Sequence, residues 1–158
     1  MTETAYAPLS GDNLQAFQDL RRLSASIGGD PALVQGAGGN TSLKAGGLLW
    51  IKASGTWLMH ADRRDSFVPV ALAPLLAALA DDAPEAEKAQ AFVVGALNPS
   101  GLRPSIETTV HALTPQRVVV HVHCVETISR AVDAHAEDAL AGPLAGLAWV
   151  YISYRRPG

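Results

Sequence analysis

Apolar residues fall at helical spacing early in the chain: Leu14, Phe17, Leu20, Leu23 and Ile27 form one stripe, with Asp12 or Asn13 as caps. Gly28-Gly29-Asp30-Pro31 ends that helix, because glycine accepts the left-handed position after a helix and proline cannot continue one. Two short strands, Thr41 to Leu43 and Leu48 to Ala53, flank Ala45-Gly46-Gly47, which reads as a hairpin. Phe67 to Val70 reads as a strand, and the alanine-rich run from Ala71 to Ala80 as a helix. Pro84 is suited to a first helical turn and predicts a helix to about Leu97. Ser105 stands as the N-cap of a short helix that Pro115 stops. Arg117 to His123 is a β-branched run and predicts a strand, with Val118, Val120 and Val122 facing the core. Ile128 to Ala141 predicts a helix broken near Ala136, and Ala148 to Ser153 a last strand.

This order of strands and helices predicts layered α/β architecture, and the glycine hairpin allows antiparallel pairing. We read residues 1–12 as a flexible tail and 13–158 as one domain. At 158 residues the chain is long enough for a core without disulfides. Apolar residues make up 48% and charged residues 17%, which excludes a disordered chain. The net charge of −3 argues against a nucleic-acid backbone as partner. The single cysteine, Cys124, fits a reducing, cytoplasmic setting. The N-terminus lacks the apolar core of a signal peptide. The longest apolar stretch, Val68 to Ala80, is too short to span a bilayer, so no membrane partner is expected.

Three segments carry candidate chemistry. Side chains two apart on a strand share a face, so His121 and His123 can converge on one metal at about 2.0–2.1 Å per Zn–N bond. The alternative is two buried histidines bonded to backbone carbonyls. Zinc needs a third protein ligand, and among His60, His111 and His135 the nearest candidate is His111. Glu107 follows Ser105 in the first helical turn, where it can serve the helix dipole or, with its pKa raised by partial burial, act as a general acid/base. Gly36-Ala37-Gly38-Gly39-Asn40-Thr41-Ser42 and Ala53-Ser54-Gly55-Thr56 are either ordinary tight turns or a phosphate cradle of backbone N–H groups and neutral donors. Neither segment matches a P-loop, and the glycine turn opens a hairpin rather than a helix, which argues against nucleotide binding.

Taken in order, Gly-Gly-Asn-Thr-Ser at 38–42, Lys52-Ala53-Ser54-Gly55-Thr56, Pro104-Ser105-Ile106-Glu107 and His121-Val122-His123 resemble the class II aldolase/adducin family. The likeness is greatest to its rhamnulose-phosphate-aldolase-like branch and runs from about Leu20 to the end. The resemblance implies a three-layer α/β/α fold around a largely antiparallel sheet, assembled as a homo-oligomer, often a tetramer. It implies a divalent metal, usually zinc, on three histidines, of which His121 and His123 match two. It implies Glu107 as the acid/base, and Gly39, Asn40, Ser54, Gly55 and Ser105 around a substrate phosphate. The family often has a second serine where Ile106 stands. Its third metal histidine lies in a His-Gly segment beyond the strand that ends near Ser153, so the resemblance implies a chain truncated at its C-terminus. The expected function is metal-dependent cleavage or formation of a carbon–carbon bond in a ketose phosphate, through a metal-stabilised enediolate. Dehydration or epimerisation of a sugar phosphate on the same site, or a non-catalytic adducin-like module, are the alternatives.

Overall fold

The computed structural model describes residues 6–153. Helix α1 (Gly11–Gly28) leads into the hairpin β1 (Asn40–Ala45) and β2 (Leu48–Lys52), then β3 (Phe67–Ala71) and helix α2 (Leu72–Ala80). Helix α3 (Thr108–Leu113), strand β4 (Val118–His121) and helices α4 (Val125–Ala131) and α5 (Ala136–Ala141) come next. The four strands form one antiparallel sheet in the order β3-β2-β1-β4.

Alternation along β2 sends its side chains to two cores. Leu48 and Trp50 join Leu43, Phe67 and Leu20 of α1 on one face. Leu49 and Ile51 join Val68, Val70, Leu75 of α2 and Ala112 of α3 on the other. Helices therefore cover both faces of the sheet, the mixed α/β arrangement that the alternation of elements predicts. No helix among the described residues is long and apolar enough to cross a membrane.

The structure departs from the sequence-based expectation in several places. Helix α1 begins at Gly11, so residues 11 and 12 belong to it rather than to a tail, and Tyr6 and Leu9 pack against the α1 core. Residues 1–5 of the expected tail lie outside the described residues. Three 3₁₀ turns, Pro84–Glu87, Ala89–Phe92 and Gly95–Leu97, replace the helix expected from Pro84. The cause is the edge of β3: Val93 bridges Val70, and the Val94 N–H donates to the Pro69 carbonyl at 2.9 Å, so sheet bonding outcompetes helical bonding. Ala148 to Ser153 forms no strand, because none of the described strands pairs with it.

Two of the valines expected in the core, Val118 and Val120, are 42% and 43% exposed, and Val122 is half-buried beyond the strand's end. They pair with Leu43 and Thr41, and so lie on the α1 face, but at the outer strand, past the cover of the helix. The opposite face of β4 carries Val119 and His121, level with Ser42 and Asn40.

Candidate metal and anion site

His121 is the last residue of β4 and pairs with Asn40 at the start of β1. His123 lies two residues on, and its backbone N–H donates to the Leu33 carbonyl at 2.8 Å, which ties the chain to the segment after α1. The two imidazole centroids are 5.0 Å apart. Glu107 enters from α3, with Oε2 2.9 Å from His121 Nδ1. One ligand atom from each of Glu107, His121 and His123 lies within 4.8 Å of the other two. Two imidazole nitrogens and a carboxylate oxygen are the donor set of some catalytic zinc sites, so the chemistry of the three side chains fits a divalent metal.

The turn before Glu107 explains its position. Ser105 does not cap α3: Glu107 occupies the position just before Thr108, and Ser105 lies two residues earlier. The Glu107 N–H donates to Ser105 Oγ at 3.3 Å, and the Thr108 N–H to the Ser105 carbonyl at 3.1 Å. The Asn40 amide donates to Ser105 Oγ at 2.9 Å and to Glu107 Oε2. The carboxylate is thus held from β1, from β4 and from its own turn.

The expected upward shift of Glu107 is corrected by this surrounding. Burial pushes its carboxyl up, but hydrogen bonds from the His121 ring and the Asn40 amide, with the neighbouring imidazoles, outweigh burial and hold it below the ordinary range. Glu107 is therefore ionised at neutral pH, as a proton acceptor or metal ligand must be. His111, the substitute expected for a third ligand, lies outside this cluster. It is buried one turn into α3, with Nδ1 2.8 Å from Ser42 Oγ and Nε2 without a partner. Burial lowers its pKa from 6.5 to about 4, and Lys44 and His121 push the same way while Glu107 opposes them. Neither His60, stacked on Trp57, nor His135, before α5, joins the cluster.

The glycine turn leaves room for the two histidines. A Cβ at Gly38 would lie 2.8 Å from His123 Nδ1, and one at Gly39 3.0 Å from the His121 carbonyl oxygen. Gly39 also has φ +65, which glycine adopts without strain. A cleft of about 210 Å³ opens beside them, lined by Gly39, Asn40, Lys52, Ser54, Gly55, Ser105, Glu107 and His123 among others. All the phosphate candidates read from the sequence border this one space. Lys52, the first residue of the Lys-Ala-Ser-Gly-Thr motif, is buried in the same wall, and its ammonium donates to the Ala37 carbonyl at 3.0 Å. Burial lowers its pKa while Glu107 raises it. A lone lysine closing the apolar run of β2 was the signal that could have found it.

Sheet, glycine turn and the Glu–His–His cluster define a class II aldolase-type domain. The model for the class II aldolase and adducin N-terminal domain matches residues 18–158, and the chain belongs to that family. The structure is similar to the N-terminal class II aldolase domain of a conserved protein from Thermoplasma acidophilum, with TM-score 0.68 and 29% identity over 92% of this chain and 71% of that one. It is also 29% identical over 155 residues to the uncharacterized oxidoreductase YuxG of Bacillus subtilis (strain 168). That match covers 91% of this chain and 22% of YuxG, so the chain spans about a fifth of that relative's length.

Proposed function

We propose that this domain is a zinc-dependent lyase of the aldolase type, acting on a ketose phosphate of the kind used by the rhamnulose-phosphate-aldolase-like branch. The observation that carries the reading is the grouping of Glu107, His121 and His123 within 4.8 Å, opening on a cleft of hydroxyl, amide and ammonium donors. His121 and His123 would hold the metal, and Glu107 stands within reach of it as the acid/base. A divalent ion bound there would polarise the substrate's carbonyl and hydroxyl oxygens and stabilise negative charge as the carbon–carbon bond breaks. Glu107, ionised and oriented by Asn40, accepts a proton and returns it to carbon. Gly39, Asn40, Ser54, Gly55 and Ser105 hold the phosphate, with the Lys52 charge beside them. That fixes the reacting carbons against Glu107.

The oxidoreductase in YuxG's name belongs to a protein of which this chain matches 22%, and the glycine turn here opens a hairpin, so the reading stays with lyase chemistry. Exposed Val118, Val120, Trp149 and Ile152 support assembly as a homo-oligomer, for which a tetramer is the family expectation. We read its setting as cytoplasmic and its ligand as a small sugar phosphate, with no nucleic-acid or membrane partner. The test is metal titration by calorimetry, then product analysis on a panel of ketose phosphates. Stoichiometric zinc binding with release of an aldehyde supports the lyase. Dehydrated or epimerised products would replace it with the alternative reaction, and no metal binding would leave an adducin-like module.

A further inference from the structure

Beyond Lys52 the end of β2 continues into a second, very short antiparallel pairing. Ala53 bridges Pro104, the Ser54 N–H donates to the Arg103 carbonyl at 2.9 Å, and the Ser105 N–H donates to the Lys52 carbonyl at 3.2 Å. These bonds set Lys52 and Ser54 against Ser105 and Arg103 around buried Ala53 and Pro104, so that two cations and two hydroxyl residues meet at one short pairing.

Two cavities meet at this pairing. Lys52 borders the cleft beside the Glu–His–His cluster, whereas Arg103 borders an adjoining cavity of about 360 Å³. Ser54, Ser105 and Ile106 line both. Ile106, 89% exposed between them, offers no hydrogen bond where the family often has a serine. Among the described residues Arg103 has no ion-pair partner, so its guanidinium is free to meet a ligand. Lys88 and Glu87, which also line that cavity, offset each other in formal charge.

We infer that the 360 Å³ cavity is the outer half of the anion site, and that Arg103 grips the substrate's phosphate from it, across the Ser54–Ser105 wall from Lys52. The inference rests on the proposed phosphate cleft and adds to it a residue that determines specificity. A guanidinium presents paired donors that match two phosphate oxygens, which the hydroxyl missing at Ile106 cannot do. Arg103 therefore selects for a dianionic phosphate over an unphosphorylated ketose. It makes no contact with the reacting carbons.

The experiment is calorimetric binding of inorganic phosphate to the full chain without added metal, at fixed pH and ionic strength, with circular dichroism to check folding. Arg103 is exposed, so its variants keep the fold. Arg103→Gln should weaken phosphate binding by about tenfold or more, as expected for loss of a charge-assisted pair, and Arg103→Lys should recover only part of it. Lys88→Gln should change affinity by less than about twofold, as for a screened surface charge. An Arg103→Gln variant that binds phosphate like the parent, while Ser54→Ala loses it, overturns the role of Arg103 and leaves the cleft standing. Equal losses in Lys88→Gln and Arg103→Gln would mean general surface charge and also overturn it. A parent chain that binds no phosphate overturns both the role and the cleft.

Discussion

Strands β1 to β3 and the segment from β4 onward are built to different standards. Every residue of β2 and β3 is buried, and helices close over both faces. From Val118 on, burial is partial. Strand β4 alternates between exposed and half-buried, and between there and residue 153 the buried apolar residues are Ala136 and Leu140 of α5. The site straddles the boundary. Glu107, Asn40, Lys52 and Ser105 come from the closed half, and His121 and His123 from the open one. The Glu107 carboxylate is thus fixed by a packed core, while the histidines depend on one pairing with β1, on the tie to Leu33 and on the glycine turn. Affinity for a metal should therefore respond to small changes that cost little stability.

The largest expected effect tests the closed half's chemical contribution. Glu107→Gln keeps the shape of the side chain and its bond to Asn40 but cannot accept a proton. Turnover of a cleaved ketose phosphate should fall by about 10² to 10⁴, the range for loss of a general acid/base, with little change in the unfolding midpoint. Equal turnover in steady-state assays would remove Glu107 from the reaction.

Stability should divide along the same boundary. Ile51→Ala, in the fully buried strand, should cost about 2–5 kcal/mol by opening a cavity. Val120→Ala, at an exposed edge position, should cost less than about 1 kcal/mol. Urea unfolding of both variants checks this, and comparable losses would mean that β4 is packed as tightly as β2.

The difference between the halves also explains what could be read from the sequence. Helix α1 and the β1–β2 hairpin carry strong local signals, a helical stripe and a glycine turn, and local signals survive folding when the core agrees with them. The candidate site residues could be named because short motifs hold their chemistry together. The turns over Pro84–Leu97 were not legible, since the bonds to Pro69 and Val70 that shape them come from a distant edge. Nor was the direction of the Glu107 shift, because burial and hydrogen bonding oppose each other and only geometry says which is stronger. The valines of β4 misled because alternation identifies a face but not whether anything covers it.

Acid should weaken the fold through the groups buried in the closed half. His111 has a folded-state pKa of about 4 against 6.5 when unfolded, so the unfolded chain takes up the proton first. The stability that neutral His111 contributes is complete above pH 6.5 and is lost as pH falls toward 4. The Glu107 shift has the same sign and acts lower, as pH falls through the carboxylate range. Between pH 7 and pH 5 the His111 share is on the order of 2 kcal/mol. His111→Gln should lower stability at pH 7, through the lost bond to Ser42, yet flatten its decline toward pH 5. Denaturant unfolding at the two pH values measures this, and an unchanged slope would show that His111 does not titrate with folding.

The smallest effect is the most selective test of the open half. Gly38 has no positive φ, so alanine fits the backbone and its only new demand is space. That space is occupied: the added Cβ would lie 2.8 Å from His123 Nδ1 and 3.0 Å from the Gln35 carbonyl oxygen. Of the two, the imidazole can move. His123 lies beyond the end of β4 with its backbone tied to Leu33, but no hydrogen bond among the described residues holds its ring. Gly38→Ala should therefore rotate the ring away from Glu107 and His121. Zinc affinity should fall by about tenfold, the lower end of what loss of support around a metal ligand costs, with only a small loss of stability, under about 1 kcal/mol, from the contact with the Gln35 carbonyl. Gly39→Ala differs, since φ +65 strains alanine and its Cβ meets the His121 carbonyl oxygen at 3.0 Å, so stability should fall with affinity. If Gly38→Ala instead lowers stability by more than about 1 kcal/mol and leaves zinc binding intact, the glycine serves the fold and the histidines are not held by it.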